Sequence, residues 1–328
     1  MDFRISEDQE ALQEGIRSFC EGRVSIEQLR EIEQAGGFDR ELWGELAEMG
    51  VFGLRLPEEQ GGVGLGYADA VLVFEELGKA LVPGPIVWSH LAAGLVKGAA
   101  DGTAVVGGLD LTDGTGAPYL VEHFEAIDVL LVLRADGIER LDPKALSASK
   151  IDVPTDPLTP VHRVDELPKG ERIGGADEAA RLRLEGAAIS AGQLLGIAET
   201  TVALAVAYSK ERKQFNRPIG SFQALKHIMA DMFVRQEAAR AASYAAGATL
   251  DDPIVGDLER AVGAAKLVAG EAALKNSRAC IQVHGGMGYT WEIPAHYYLK
   301  RTWVLNSIFG SIDDHADEVA ERVGVTAA

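Results

Sequence analysis

Two short segments carry the residues best suited to grip a flat, charged ligand. In ERKQFNRPIGSFQ at 211–223, Arg212 and Gln214 stand where a helix has to stop, because Pro218 cannot continue it. A guanidinium fork there can hold a pyrophosphate, a carboxamide can hydrogen-bond it, and Phe215 can cover a flat ring. Phe222 and Gln223 follow, with Ser221 placed to cap the next helix. An arginine ending a helix also suits the macrodipole, so this segment alone has an ordinary structural explanation. In QVHGGMGYTWEIP at 282–294, the helical run Gln282, Val283, His284 is broken by Gly285 and Gly286. Paired glycines end many helices. They also let a ligand approach the backbone closely. His284 reads as a packed corner histidine, and with no second histidine or carboxylate at metal spacing the segment calls for no metal.

The elements that must place these corners are mostly helices. Residues 1–98 read as an N-terminal helical domain. Ser6 with Gln9 and Glu10 suits a helix start, and Asp39 can cap a second helix carrying Leu42, Trp43, Leu46, Ala47 and Met49. A glycine-rich loop at 57–66 precedes a helix over 67–81, punctuated by Pro83 and Pro85. Residues 99–172 change character, with β-like runs at 103–106, 118–121, 129–133 and 151–153. From 173 to 328 the chain is helical again. Leu194, Ala198, Thr201, Ala205 and Tyr208 share one face of a long helix ending near Lys213. Val262, Ala265, Ala269 and Ala272 form a seam of small residues that lets helices approach closely. Long helices with short connections predict a C-terminal four-helix bundle. The fold class is mainly α with a small central β domain.

The 328-residue chain can bury a large core, and its 47% hydrophobic and 25% charged residues are ordinary for a soluble globular protein. A net charge of −19 argues against nucleic-acid and anionic-membrane partners. Cys20 and Cys280 fall in no CxxC spacing and read as idle thiols in a reducing compartment. Asp2, Arg4, Glu7, Asp8 and Glu10 make the first residues too charged for a signal peptide, and no apolar run reads as membrane-spanning. A cytoplasmic location is expected.

Taken together, RxQFxxPIxxFQAxxHxxADM and the later QxHGGxGYTxExP resemble the C-terminal domain of acyl-CoA dehydrogenases. ISEDQ at 5–9, LRLPEEQGG at 54–62 and FEELG at 74–78 resemble that family's N-terminal helical domain. The resemblance implies a central β domain between the two, a bundle assembled as a dimer of dimers, and FAD lying at a subunit interface. It further implies that Arg212, Gln214, Phe215, Phe222 and Gln223 contact the diphosphate and adenosine part of a flavin held mainly by the neighbouring subunit. Gln282, Val283, His284, Gly285 and Gly286 would line the same cleft. Acyl-CoA is the implied substrate and an electron-transfer flavoprotein the implied acceptor. Asn216 stands where the family usually has glycine; both tolerate left-handed backbone angles.

Two departures from the family pattern matter. Residues 99–172 hold neither the T/S-E-P-x-x-G-S-D loop nor the I-T-N-G/A stretch that cradles the flavin ring and thioester; PYLVEH at 118–123 is no match, so the resemblance implies a truncated β domain. The second concerns the base, since removing a proton α to a thioester needs a carboxylate close to that carbon. The family's usual turn reads Ile308-Phe309-Gly310-Ser311 here, without a carboxylate. The position used by isovaleryl-type members falls on Gly186. Its neighbour Glu185 projects about 100° away around the helix and reads as a solvated residue. Asp313 and Asp314 read as carboxylates opening the next helix. No residue is therefore assigned as catalytic. This pattern resembles the short, base-deficient subunit of actinobacterial α2β2 acyl-CoA dehydrogenases, which implies a full-length dehydrogenase partner and a bulky, in some cases steroid-derived, acyl-CoA. Two other readings stand beside it. One is a self-sufficient homomeric enzyme using Glu185 or Asp313; the other is a non-catalytic CoA-ester-binding or scaffold homologue.

Overall fold

The computed structural model describes residues 5–325, so the charges at Asp2 and Arg4 lie outside the described residues. Helix α1 (Glu7–Arg23) opens on a reciprocal capping box, Ser6 Oγ accepting from Gln9 N and Gln9 Oε1 from Ser6 N. Ser25 repeats the device before α2 (Ile26–Gln34), and Asp39 caps α3 (Arg40–Glu48). Two further helices, α4 (Tyr67–Lys79) and α5 (Ile86–Ala92), are buried on nearly every face because they run between the outer helices and the rest of the molecule. Pro85, which reads as punctuation, stands at the N-cap of α5, where its missing N–H costs nothing.

Seven strands follow: β1 (Val106–Leu111), β2 (Tyr119–Glu122), β3 (Val129–Arg134), β4 (Gly137–Leu141), β5 (Ala148–Lys150), β6 (Val161–Val164) and β7 (Glu171–Gly174). They form a mixed sheet in the order β1-β3-β4-β7, with β1 and β3 parallel, and an antiparallel sheet in the order β2-β6-β5. Two expected strands move. Instead of 103–106, β1 begins at Val106 and takes in Gly107 and Gly108. Those glycines look like breakers, but a Cβ on Gly108 would lie 2.2 Å from Trp88 Cε3, so packing requires glycine inside this strand. Instead of 151–153, residues 148–150 pair with β6, and Val153 is left 86% exposed.

The remaining helices are α6 (Ala176–Glu211), α7 (Gln223–Asp251), α8 (Leu258–His284), α9 (Ala295–Leu305) and α10 (Ile312–Val325). A small hairpin of β8 (Lys213–Gln214) and β9 (Arg217–Pro218) joins α6 to α7. Val262, Ala265, Ala269 and Ala272 are buried in the bundle seam. The approach of α4 to α6 is closer still: a Cβ on Gly196 would lie 2.1 Å from the Glu75 carbonyl oxygen. Ser221 does not cap α7. It closes a 3-10 turn, its Oγ donating to the Pro218 carbonyl (2.7 Å), and Phe222 takes the cap position. Contrary to the sequence expectation, a stretch of α6 has a mean hydropathy of 1.4 and is long and apolar enough to cross a membrane. With 72% of that stretch buried against its neighbours, α6 is a core helix.

Lys266 lies fully buried on α8, and its Nζ donates to the carbonyls of Leu305 and Ile308, at the end of α9. Helix ends leave such carbonyls open, and the amine closes two of them. Burial, with Arg183 adding, pushes this amine down to about 7 from its ordinary 10.5. Between those values the unfolded chain binds more protons than the folded one, so stability rises with pH across that window. Lys266→Met is expected to flatten the rise, read as urea midpoints from about pH 7 to about pH 10; an unchanged slope would refute it.

Candidate functional site

Where α6 ends, Arg212 N donates to the Tyr208 carbonyl and the Arg212 carbonyl accepts from Ile219 N, closing the hairpin on itself. Arg212, Gln214, Phe215 and Gln223 all face solvent, with Phe222 half-buried beside them. Among the described residues the Arg212 guanidinium has no ion pair or hydrogen bond. The two-residue turn puts Phe215 and Asn216 at φ 53° and 63°. Asparagine tolerates that region; a bulky phenylalanine does so only under strain. Phe215 is nevertheless 86% exposed, with its ring edge-on to Phe222 at 6.1 Å and Arg217 stacked 4.1 Å over Phe222. Apart from that edge contact, the strained ring is left to solvent.

The second corner meets the first through a stack of Tyr208 on His284, ring centroids 4.3 Å apart, which brings the ends of α6 and α8 together. His284 and Val283 are buried, His284 Nδ1 bonding the Cys280 carbonyl at 2.8 Å, so both support the corner from inside. Gln282, Gly285 and Gly286 are exposed, and nothing stands within 4 Å of where a Cβ on either glycine would be. The result is an open edge carrying a free guanidinium, three glutamine carboxamides, an aromatic ring and unshielded backbone. That donor set fits a diphosphate and a flat ring.

Gly186 and the Phe309 turn, where the family resemblance implies a base, face each other. The Phe309 ring is fully buried, and a Cβ on Gly186 would lie 2.5 Å from its Cε1. Trp88 closes the other side, its ring centroid 4.5 Å from that of Phe309. The turn is held firmly: Lys266 takes the Ile308 carbonyl and His315 Nε2 donates to the Phe309 carbonyl at 2.8 Å. Phe309 itself has φ 54°, another phenylalanine in the left-handed region. No carboxylate fits at 186 while this ring is in place. Trp88 escaped sequence reasoning because one tryptophan on a short helix shows no period that separates a plug from ordinary core.

Glu185 is not solvated, as its place on the helix suggested, but 5% exposed. Arg181 Nε donates to it at 2.7 Å and Arg55 Nη1 at 3.4 Å, and burial outweighs both in raising its carboxyl. It clamps the N-terminal helices to α6. Glu185→Gln is expected to cost about 2 kcal/mol in urea denaturation, at the low end for a buried pair because both arginines are partly exposed. Asp313 is exposed, and Asp314 accepts from Ser311 N and Oγ at the start of α10. Neither carboxylate is brought to Gly186.

A cavity of about 400 Å³ lies outside the plug, between β1, β2 and α9, with Trp88, Tyr119, Trp303 and Phe309 on its walls. Asp110, Glu122 and Asp156 are the charged side chains lining it, and no cation does. A wider cleft of about 770 Å³ near α10 sets Arg134, Arg183 and Arg322 against five carboxylates, a poor balance for a polyanionic coenzyme.

Residues 6–102 match the family model described as acyl-CoA dehydrogenase, N-terminal domain, and residues 178–324 the one described as acyl-CoA dehydrogenase, C-terminal domain. The chain belongs to the acyl-CoA dehydrogenase family. It is 34% identical over 312 residues to acyl-CoA dehydrogenase IpdE2 of Mycolicibacterium smegmatis, covering 90% of this chain and 93% of that protein. To the IpdE2 of Mycobacterium tuberculosis it is 36% identical over 274 residues, 81% of each. Among solved structures it is similar in fold to a chain of the Tcur3481-Tcur3483 steroid ACAD, with TM-score 0.85, 23% identity and 99% of both chains covered. The ChsE4-ChsE5 complex from Mycobacterium tuberculosis gives TM-score 0.84 at 22% identity, again over 99% of both chains. This dehydrogenase-family chain therefore belongs with FAD-dependent oxidoreductases, and its neighbours in fold include subunits of heteromeric complexes.

Proposed function

We propose that this chain is the base-deficient subunit of a heteromeric acyl-CoA dehydrogenase, working on a bulky acyl-CoA of the steroid-derived class. The observation that supports the reading is the Phe309 ring packed against Gly186, which in this reading stands where a base would otherwise be. In this reading a full-length partner supplies the carboxylate and the acyl pocket, in a cytoplasmic dimer of dimers that passes electrons to an electron-transfer flavoprotein. This chain's own work is to bind and orient. Arg212 would pair with the flavin diphosphate, Gln214 and Gln223 would hydrogen-bond it, and Phe215 with Phe222 would shield its adenosine end. Gln282, Gly285 and Gly286 would let it approach the backbone, with Val283 and His284 bracing the corner. Bound FAD would accept the hydride from the substrate β-carbon. The steroid class of substrate draws support from the Tcur3481-Tcur3483 steroid ACAD, whose fold this chain shares.

The test is an absorbance spectrum at flavin wavelengths of the chain expressed alone and with a co-encoded full-length dehydrogenase. Colour and acyl-CoA oxidation that arise only on co-expression support the heteromer. A yellow, active protein from this chain alone would overturn it.

A further inference from the structure

Arg301 joins all three parts of the molecule. It stands on α9, its Nε pairs with Asp156 of the central domain at 2.5 Å, and its Nη1 donates to the Val82 carbonyl at 3.0 Å in the N-terminal part. Both ion-pair partners are buried, Arg301 6% and Asp156 1% exposed. The joint is nevertheless incomplete. Among the described residues Arg301 Nη2 has no partner, and neither do the Gln193 Oε1 and His123 Nδ1 of two other buried residues. All three residues line one small void of about 30 Å³, together with Glu122 and Thr159. Leaving three buried polar atoms unbonded costs about 1–3 kcal/mol each, and native interiors meet such groups with ordered water. A void of this size admits a water, and the walls offer the two to four polar partners it needs.

We propose that this void is a permanent internal water site, whose water accepts from Arg301 Nη2 and donates to Gln193 Oε1 and Glu122, and that Glu122 exchanges its proton with the neighbouring 400 Å³ cavity. Glu122 is the link because it lines both spaces. Among the described residues its carboxylate has no hydrogen-bond partner in the protein. Burial pushes that carboxyl up to about 7; Arg301 opposes the shift and Asp156 adds to it. The other titratable groups facing it are His123, which burial holds neutral by pushing it down to about 3, and Asp110 across the cavity, paired with Arg183 at 3.1 Å. The water completes the three-way joint, and the cavity side lets Glu122 change charge without unfolding it.

Two measurements on the chain in its full assembly decide the matter. A crystal structure fine enough to place internal water should show density in the void within hydrogen-bond distance of Arg301 and Gln193, and Gln193→Met should lose it. A dry void, or direct bonds among the three orphaned groups, overturns the water site. Infrared spectra should show a protonated-carboxyl band, missing in Glu122→Gln, that falls roughly tenfold between about pH 6 and about pH 8. A band absent or constant over that range overturns the proton exchange. If Glu122→Gln fails to fold, the pH series on the wild type and on Gln193→Met still decides, since losing the water should shift the midpoint.

Discussion

Arg212→Ala is expected to empty the flavin site of the assembled enzyme while leaving this chain folded. The side chain is exposed and has no partner among the described residues, so its loss should change the chain's own stability by less than about 0.5 kcal/mol. Against a diphosphate, a charge-assisted pair contributes about 3 kcal/mol, so flavin affinity should fall roughly a hundredfold. Flavin content after gel filtration, with Tm of the subunit alone as control, reads the two effects separately. Full flavin retention would show that the hairpin faces something other than the cofactor. Arg212→Lys should recover only part of the affinity, because an ammonium cannot make the two-pronged contact.

Gly186→Ala is expected to destabilise the chain strongly. The new carbon would sit 2.5 Å from a fully buried ring whose backbone is pinned by Lys266 and His315, so the ring has little room to retreat. About 3 kcal/mol of stability should be lost. Phe309→Ala should cost about 3–5 kcal/mol by leaving a void beside Trp88. The double variant should be more stable than the sum predicts by at least about 1 kcal/mol, because the space vacated by the ring accepts the methyl. Additive losses in urea denaturation would mean that ring and glycine do not oppose each other. Neither variant should raise turnover in the assembly, since the partner holds the base under the proposed function.

Much of this could be read before any coordinates. Ser6 and Asp39 act through neighbours two or three residues away, and the seam of Val262, Ala265, Ala269 and Ala272 repeats at helical spacing, so both are visible locally. The central strands were harder. Their signals are short, and Gly107 and Gly108 look like turn residues until Trp88 and Ile127 are seen packed on them. Ser221 failed as a cap for a similar reason, since the 3-10 turn after Pro218 claims its hydroxyl first.

The sequence by itself determined the family, through two long patterns in the right order, and the residue types at 186 and 308–311, none of them a carboxylate. Those are properties of residue identity and spacing, which no packing can alter. Only the tertiary structure decided how those positions are filled. Phe309 and Gly186 are far apart in the chain, and nothing local says that one ring fills the other's empty side. Tertiary contacts also turned Glu185 from a solvated residue into a buried clamp, because its arginine partners include one from the N-terminal part, Arg55. Burial and long-range contact push the carboxyls of Glu122 and Glu185 up and the amine of Lys266 down, and a linear pattern carries no record of either.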